Sequence, residues 1–552
     1  MRKTIQDALE SAVKKLDRDV VNIPLEYPTL LAHGDYASGI ALQLSKQLEL
    51  PTHECAKRIV SAIGSIEGVA EIHVAGPGFI NFLLAPDSLN ADVEMASTTD
   101  MWGASGMFAG KKIMVEYTDP NPFKEFHIGH LVPNALGEAL SRFFQFSGAE
   151  VRRANWQGDV GVHVAKSLYV LIRKDITDPT IADLTAAYPE GSRLYEEDNE
   201  AKREIDALNK AIYEKSDGTV NALYEKGRKL SLESFERIYK ILGTKFDYYF
   251  FESDGGPIGV RIVREHPEIF PQSDGAVVFR GEEHGLHTRV FINSAGLPTY
   301  EAKEIGLAVM KKDAWDFDLT LTITGNEQAE YFRVVMKAME LALPDLKGKL
   351  AFQTNGMLRF AEGKMSSRLG NIVRGEDLIA DLAQAAQRRA SESRALDASE
   401  LAQQVAVGAI KYQILKQASG KDIIFDRERA LSLEGDSGPY LQYAHARAHK
   451  IVEKAGASNV QARVDMAAEP NDVVRLLHRF PGVVERAASE REPHILTNYL
   501  TAFAAAFNSW YAQEQILDGS TGSPHKVAIV DAVRRTLKNG LWILAIPSPE
   551  KM

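Results

Sequence analysis

Two histidines, His127 and His130, stand in the tetrapeptide His-Ile-Gly-His, and side chains of this type at this spacing can bind phosphate. An imidazole can donate a hydrogen bond to a phosphate oxygen while negative charge develops during nucleotidyl transfer. The alternative is a pair of helix-start histidines that only cap their own backbone. A short motif alone does not decide between these interpretations, so a second motif is needed.

The elements that must position the histidines are a strand, a loop and a helix between residues 111 and 148. The apolar run Ile113, Met114 and Val115 predicts a strand buried in a parallel sheet. Residues 118–126 contain two prolines and predict a loop. Apolar residues then recur at helical spacing, at Val132, Leu136, Ala139, Leu140 and Phe143. The histidines therefore lie at a helix start, where free backbone N–H groups and the helix dipole attract phosphate.

The second motif is the Gly-Lys-Met-Ser-Ser-Arg-Leu-Gly-Asn segment at residues 363–371. Small, polar and cationic residues in a loop can follow a leaving pyrophosphate. An ordinary solvated basic loop is the alternative interpretation of the segment by itself.

The order of the two motifs resembles the class I aminoacyl-tRNA synthetases, in which a HIGH motif precedes a KMSKS-like loop. Four longer segments resemble the arginyl-tRNA synthetases in particular, at residues 115–131, 297–309, 356–371 and 410–447. The resemblance extends to the closing Pro-Ser-Pro-Glu-Lys-Met and so covers nearly the whole chain. It implies activation of L-arginine by ATP and Mg²⁺ to arginyl-adenylate, followed by transfer to the 3′ end of tRNA(Arg). It also implies that arginine activation waits for tRNA to bind.

Composition places limits on the class of protein. At 552 residues, the chain is long enough for three or four domains. No apolar run reaches membrane-spanning length, and the single cysteine, Cys55, excludes a disulfide framework or an all-cysteine zinc site. We therefore expect a cytoplasmic protein without a membrane segment. The net charge of −11 argues mildly against nucleic-acid binding, but local basic faces can still bind RNA.

The predicted fold class is α/β, with a Rossmann-like catalytic domain, a small N-terminal α/β domain and a C-terminal α-helical bundle. Residues 1–95 carry helical segments and two strands around a Gly-Pro-Gly turn; the resemblance makes them a tRNA D-loop recognition domain. Residues 110–385 form the catalytic domain, with a charged helical insertion at about 175–235. After the insertion, we expect residues 247–256, 276–281, 288–293 and 319–325 to continue its sheet. Residues 386–552 show helical periodicity throughout and resemble the anticodon-binding domain.

The resemblance assigns catalytic and ATP-binding roles to residues of the two motifs. His127, His130, Lys124 and Lys364 become the catalytic residues. Gly129, Asn134, Lys364, Met365, Ser366, Ser367 and Arg368 become ATP-binding residues, and no protein ligand for a metal is predicted. Ser367 stands where many class I synthetases carry a second lysine, and Lys124 matches the lysine thought to compensate for it.

The resemblance also assigns an arginine pocket. Glu116 and Asn121 would contact the backbone end of the amino acid. Tyr300 and Glu304 would face the guanidinium from one side of a helix, because residues i and i+4 are neighbours there. Gln328 and, as a weaker candidate, Glu252 would complete the pocket. The family usually has aspartate in place of Glu304, and the alternative for Glu304 is an exposed helix charge in a surface ion pair.

The candidate tRNA-binding residues are aromatic or amide side chains that can stack on or hydrogen-bond to unpaired bases. They are Phe79, Asn81, Tyr440, Tyr443, Phe507 and Tyr511. Core packing is the alternative for each aromatic residue and is favoured for Phe507.

The leading hypothesis is an arginyl-tRNA synthetase that acts as a monomer. A second hypothesis is a tRNA-binding relative that has lost catalysis, because Glu304 replaces the family's aspartate and Leu-Val-Pro-Asn follows the histidines where the family carries an arginine. A third is another nucleotidyl transferase of the HIGH group, although a small substrate would need neither terminal domain.

Overall fold

The computed structural model describes residues 1–16, 18, 22–360, 373–390 and 398–552. The predicted motif segment around Lys364, Met365, Ser366, Ser367 and Arg368 lies outside the described residues.

The N-terminal domain packs helices on a small antiparallel sheet. Its elements are α1 (Arg2–Lys15), β1 (Tyr36–Ser38), α2 (Ile40–Leu44), α3 (Thr52–Ile63), β2 (Val69–Ala75), β3 (Phe79–Leu84) and α4 (Pro86–Thr98). The sheet order is β1-β3-β2, and the predicted strands around the Gly-Pro-Gly turn are β2 and β3. Gly78 has a φ of 121° in this turn, a conformation that suits glycine.

The catalytic domain begins with a strand–helix–strand unit and continues into a helical insertion. Its first elements are β4 (Lys112–Glu116), α5 (Ile128–Phe146), β5 (Glu150–Gln157), α6 (Val162–Arg173), α7 (Ile181–Glu197), α8 (Asn199–Glu214), α9 (Gly218–Leu242) and β6 (Tyr248–Phe251). Helices α7 to α9 stand between β5 and β6, in the part of the chain where the charged pattern indicates an insertion.

The second half of the domain completes the sheet and adds a separate small one. Its elements are α10 (Glu252–Glu265), β7 (Gln272–Ser273), β8 (Ala276–Phe279), β9 (Arg289–Ile292), α11 (Tyr300–Ala314), β10 (Leu319–Gly325), α12 (Ala329–Ala342), β11 (Leu350–Asn355), β12 (Leu358–Phe360) and α13 (Gly375–Ala390). The predicted continuation of the main sheet through residues 276–281 and 288–293 is wrong. These runs form β8 and β9 of an antiparallel three-stranded sheet, because a short apolar run does not reveal which strand it pairs with.

The main sheet explains where a ligand can bind. It has five parallel strands in the order β11-β10-β4-β5-β6. The chain leaves β4 toward β5 and β6 and later returns to β10 on the other side of β4. In such a sheet, ligands bind outside the carboxyl ends of the strands at this switch point. Glu116, opposite Thr322 of β10, marks that position.

The C-terminal part is a helical bundle, as predicted. It comprises α14 (Ala398–Leu415), β13 (Ile423–Phe425), α15 (Arg427–Ala430), α16 (Gly438–Ala457), α17 (Asp472–Glu490), α18 (Pro493–Gln513) and α19 (Ser523–Ile543). Its core includes the fully buried Phe480, Phe503 and Phe507. Among the described residues, no helix combines the length and the apolar character needed to cross a membrane.

Candidate active site

The two histidines begin α5 at the carboxyl end of β4, as predicted. His127 is the N-cap of α5, and its Nδ1 accepts from the Gly129 N–H at 3.1 Å. Nδ1 of His130 accepts from the His127 N–H at 3.1 Å, and the two rings stack with centroids 3.9 Å apart. Because each Nδ1 accepts, each ring must carry its proton on Nε2. The histidines therefore cap the backbone and still present Nε2–H donors.

The charge state of these rings follows from their surroundings. Burial lowers the pKa of His127, and the Lys124 ammonium lowers it further. Burial, His127 and Lys124 together hold the pKa of His130 well below its ordinary value. Both rings are therefore neutral hydrogen-bond donors at neutral pH, and Lys124 supplies positive charge beside them.

Lys124 is positioned by the helical insertion. Its ammonium lies 5.0 Å from the centre of the Tyr188 ring of α7, and the preceding Phe123 N–H donates to Ser231 Oγ of α9 at 3.0 Å. The Phe123 ring lies against Gly227, where a Cβ would be 2.3 Å from it. The insertion thus holds the loop that carries Lys124 beside the histidines.

The described residue Val373, just beyond the second motif, pairs with the first motif. The Val373 carbonyl accepts from the Ile128 N–H at 3.0 Å, and the Gly375 N–H donates to the Phe126 carbonyl at 2.8 Å. This pairing brings the chain back onto the start of α5. The ATP-binding roles of residues 364–368 remain predictions.

Two further predicted ATP-binding residues lie in α5. Gly129 is exposed, and a Cβ there would lie 2.8 Å from His127 Nδ1. Asn134 is buried; its Nδ2 donates to Thr118 Oγ1 at 3.1 Å, and its Oδ1 accepts from Thr244 at 3.2 Å. Its amide therefore already has protein partners, and its role toward ATP remains a prediction.

A group of carboxylates surrounds the switch point beside the histidines. Glu116, at the end of β4, is 1% exposed and forms an ion pair with Lys311 of α11. Glu252, the first residue of α10, is also buried, and its Oε2 accepts from Lys303 Nζ at 2.6 Å. Both carboxylates are thus neutralised by lysines of the same helix.

Glu304 has no such partner among the described residues. The pKa of Glu304 is raised to about 8, chiefly by burial and then by the nearby Glu116, and Lys311 only partly opposes these effects. Glu304 is half-buried and forms no ion pair with another described residue, so the surface ion pair that was the alternative is not observed. The carboxylate instead lies where a cationic ligand would lower its pKa.

The remaining predicted pocket residues differ in how much they are already engaged. Asn121 Oδ1 accepts from the Gly158 N–H at 3.0 Å, which leaves its Nδ2 as a donor. Tyr300 begins α11, is 63% exposed, and has the Lys303 ammonium 5.2 Å from its ring centre. Gln328 is exposed beyond β10, and its Oε1 accepts from Thr324 Oγ1 at 2.5 Å.

Sequence reasoning missed several residues of this pocket, namely Asp119, Lys303, Lys311 and Tyr331. Burial raises the pKa of Asp119 well above its ordinary value, and Glu116 adds to the effect. The available signals were the acidic residue directly after a strand end and the lysines within the apolar pattern of α11. Neither pattern reveals the partner side chain.

The predicted tRNA-binding residues fall into buried and accessible groups. Phe507 is fully buried, which agrees with the core alternative, and Asn81 is 3% exposed with Nδ2 3.5 Å from His73 Nε2. Phe79, Tyr440 and Tyr443 are half-buried, and Tyr511 is 40% exposed.

The accessible tyrosines Tyr443 and Tyr511 lie beside an arginine that sequence reasoning did not single out. The Arg447 guanidinium is 4.7 Å from the Tyr443 ring centre and 5.3 Å from that of Tyr511. Its Nη1 donates to Asn508 Oδ1 at 2.6 Å. A cation between two aromatic rings can serve both base stacking and phosphate binding.

Three domain families match the chain in succession. Residues 1–84 match "Arginyl tRNA synthetase N terminal domain", residues 99–427 match "tRNA synthetases class I (R), catalytic domain" and residues 441–552 match "DALR anticodon binding domain". The catalytic match extends beyond residue 385, into α14 and β13. The fold and the histidine site thus define a class I aminoacyl-tRNA synthetase.

Relatives narrow the class to one family. The arginine–tRNA ligase of Clostridium botulinum is 30% identical over 97% of both chains. That of Borreliella afzelii is 28% identical over 100% of this chain and 99% of the relative. The solved arginyl-tRNA synthetase of Thermus thermophilus superposes with a TM-score of 0.83 at 26% identity over 100% of both chains. The chain belongs to the arginyl-tRNA synthetases and is an arginine–tRNA ligase.

Proposed function

We propose that the chain joins L-arginine to tRNA(Arg) in two steps at the carboxyl ends of β4 and β10. A carboxylate oxygen of arginine attacks the α-phosphorus of ATP, the bond to the bridging oxygen breaks, and pyrophosphate leaves. A terminal ribose hydroxyl of tRNA then attacks the carbonyl carbon of arginyl-adenylate, loses its proton and displaces AMP. The observation that carries the proposal is the meeting of phosphate donors and unpaired carboxylates at one switch point.

The phosphate side of the reaction is assigned to the histidines, Lys124 and the segment around Lys364. The Nε2–H groups of His127 and His130 donate to the triphosphate as charge develops on it, and Lys124 supplies a full positive charge. When bound together with ATP, Mg²⁺ would offset the negative charge of the phosphates. Among the described residues, no group of three or more His, Cys, Asp or Glu could hold a metal ion, so Mg²⁺ is proposed to enter bound to ATP.

The arginine side is assigned to the carboxylate pocket. Glu304 and Tyr300 receive the guanidinium, with Gln328 and Glu252 at the edge of the pocket. Glu116 and Asn121 contact the backbone end of the amino acid, where the free Nδ2 of Asn121 suits a carboxylate oxygen. No protein nucleophile is needed, so catalysis consists of positioning and charge stabilisation.

The tRNA contacts are assigned to both terminal domains. Phe79 and Asn81 would contact the D-loop, and Tyr440, Tyr443 and Tyr511 would contact the anticodon, with Phe507 supporting Tyr511 from the core at a ring separation of 6.3 Å. We further propose that arginine activation requires bound tRNA, that the enzyme acts as a monomer and that it works in the cytoplasm.

The test is arginine-dependent ATP–pyrophosphate exchange, run with and without tRNA(Arg) and with the other amino acids as controls. The proposal predicts exchange with arginine only, and only when tRNA is present. His130→Ala should lose about a hundredfold or more in exchange rate while tRNA binding is retained. Exchange with another amino acid would contradict the pocket assignment. No exchange from folded, tRNA-binding protein would contradict catalysis by this site.

A further inference from the structure

The arginine pocket contains more carboxyl groups than cationic side chains paired with them. Four carboxylates meet there, but only Glu116 and Glu252 have lysine partners. Asp119 and Glu304 have no cation within 4 Å among the described residues. Glu304 and Glu116 are nevertheless close enough to Asp119 to raise its pKa in addition to the larger effect of burial. Among the described residues, the pocket thus holds two carboxyl groups without a cationic partner, and arginine carries two positive charges, the α-ammonium and the guanidinium.

The packing of Asp119 does not require its negative charge. Its Oδ1 accepts from the Trp156 N–H of β5 at 2.8 Å, a bond that an asparagine oxygen could accept equally well. An ionised carboxylate beside two others in a buried site is costly, whereas a neutral amide is not. A positively charged ligand would stabilise the ionised carboxylate of Asp119, which an asparagine could not provide.

The backbone holds Asp119 in a fixed direction. Thr118 and Asp119 have φ values of 80° and 46°, which are rare for residues other than glycine. The loop is secured at the end of β5, where Asn155 Nδ2 donates to the Tyr117 carbonyl at 2.9 Å and Asn121 accepts from Gly158. Backbone of this kind persists where surrounding contacts determine it.

We propose that Asp119 is an additional substrate-binding residue that accepts hydrogen bonds from the α-ammonium of arginine. The inference rests on the pocket proposed above. The α-ammonium is one carbon away from the carboxylate that must reach ATP, and Asp119 lies in the loop that leads to Asn121, Lys124 and the histidines. Glu304 lies on α11 with Tyr300 and receives the guanidinium. Glu116 can contact the substrate, but Lys311 already neutralises its charge.

A further polar group without a partner, the Tyr331 hydroxyl, lies on the Glu304 side of the pocket. The Tyr331 hydroxyl is buried and has no hydrogen-bond partner among the described residues. Burial raises its pKa well above its ordinary value, and Glu304 raises it further, so the hydroxyl lies near that carboxylate. A buried donor without a partner is uncommon in native proteins and is satisfied here when substrate fills the pocket.

The test compares arginine with two analogues in tRNA-dependent pyrophosphate exchange. The first is the 2-hydroxy analogue, which keeps the guanidinium and the carboxylate but replaces the α-ammonium with a hydroxyl. The second is citrulline, which replaces the guanidinium with a neutral urea. The variants are Asp119→Asn, Glu304→Gln and the control Asp318→Asn. Asp318 Oδ2 accepts from the Lys112 N–H at 2.8 Å, so it makes the same kind of bond at the opposite end of β4.

We expect Asp119→Asn to raise the KM for arginine about tenfold to a hundredfold and to leave the inhibition constant of the 2-hydroxy analogue within about twofold. Glu304→Gln should weaken both ligands but reduce the preference for arginine over citrulline. Asp318→Asn should change none of these values. The KM and the inhibition constants do not depend on the fraction of active protein. If a variant turns over too slowly, the increase in its melting temperature with each ligand is measured instead.

The possible results separate this inference from the pocket assignment. If Asp119→Asn leaves the arginine KM unchanged, or weakens arginine and its 2-hydroxy analogue equally, Asp119 does not bind the α-ammonium. If Glu304→Gln leaves the arginine KM unchanged, the pocket assignment itself fails.

Discussion

Two clusters of charged side chains lie near β4, and they differ in whether each carboxylate has a cationic partner. Behind the site, Glu138 of α5 accepts from Arg142 Nε at 2.7 Å, from Arg153 Nε at 3.1 Å and from the Tyr117 hydroxyl. Burial acts to raise the pKa of Glu138, but the two arginines outweigh it and hold the pKa below its ordinary value. In the pocket, Glu304 has no cation of its own among the described residues, and its pKa is raised to about 8.

The difference separates a structural carboxylate from a binding carboxylate. Arg142 also donates to the carbonyls of Trp542 at 2.9 Å and Gly243 at 3.0 Å, so the Glu138 cluster ties α5 to α19 and to the end of α9. The carboxylate of Glu138 is thus paired with cations of the protein itself. The pocket instead holds carboxyl groups without a cationic partner, and their ionised form is stabilised only when a cationic substrate arrives.

The largest expected effects come from neutralising Glu304 in the pocket and Glu138 in the other cluster. Glu304→Gln should raise the arginine KM about a hundredfold, because a charge-assisted hydrogen bond to the guanidinium is lost, with little change in the ATP KM. Glu138→Gln should instead destabilise the fold by about 3 kcal/mol, because it leaves two half-buried arginines without their buried anion. Exchange kinetics and thermal unfolding measure the two outcomes. If the effects were reversed, the assignment of the two clusters would be wrong.

The pH dependence of arginine binding should sharpen the contrast. Arginine binds the ionised form of Glu304, whose pKa in the free pocket is about 8. The arginine KM should therefore rise as pH falls below 8, by up to about tenfold per pH unit, and level off just above 8. The rise in KM should be smaller in Glu304→Gln, where Asp119 remains as a carboxyl with a raised pKa, and unchanged in Glu138→Gln. The histidines do not produce this profile, because burial lowers their pKa values.

The contributions of Glu304 and Glu138 to the stability of the free enzyme should change with pH in opposite directions. The pKa of Glu304 is raised in the folded state, so its contribution to stability is present at low pH and is lost as pH rises from about 4.5 to about 8. Glu138 has a lowered pKa, so its contribution is present above about 4.5 and is lost as pH falls. Glu304→Gln should thus stabilise the enzyme by about 1 to 2 kcal/mol at pH 8 and by less at pH 5. Thermal unfolding at both pH values measures this difference, and equal stabilisation by Glu304→Gln at pH 5 and pH 8 would contradict the prediction.

The smallest expected effect concerns Arg447, where the unmatched charge is positive. Among the described residues, it has no carboxylate within 4 Å and lies between Tyr443 and Tyr511. Arg447→Gln should raise the KM for tRNA about threefold to fivefold without changing the arginine KM. Arg486→Gln is the matched control, because Arg486 is paired with Glu490 at 2.8 Å. Equal effects of both variants would show that Arg447 has no particular role.

Sequence predicted the parts of this molecule that depend on local order. The histidines, the strand before them and the helix after them follow from periodicity over fewer than forty residues, and the structure places them as expected. The partners Lys303 and Lys311 could not be predicted as partners, because their ion pairs join residues distant in sequence. Asp119 was missed because its importance depends on neighbours that only the fold brings together.

Short patterns left other choices open. The runs at 276–279 and 289–292 have the apolar character of strands, but composition does not identify their sheet. Phe507 and Tyr511 both belong to α18 and are neighbours at i and i+4. The first is fully buried and the second is 40% exposed, because the boundary of the buried face falls between them. Helical spacing alone cannot locate that boundary.

Arginine is expected to supply the positive charge that ionises the pocket carboxyl groups, so its binding should release protons. Calorimetric titration of arginine into the enzyme at pH 7, in buffers with different ionisation enthalpies, measures the protons exchanged on binding. We predict the release of about one proton from Glu304 per arginine, in addition to any proton that Asp119 releases, and a release smaller by about one proton in Glu304→Gln. Binding of arginine to the unaltered enzyme at pH 7 with no proton release, or with proton uptake, would contradict the claim.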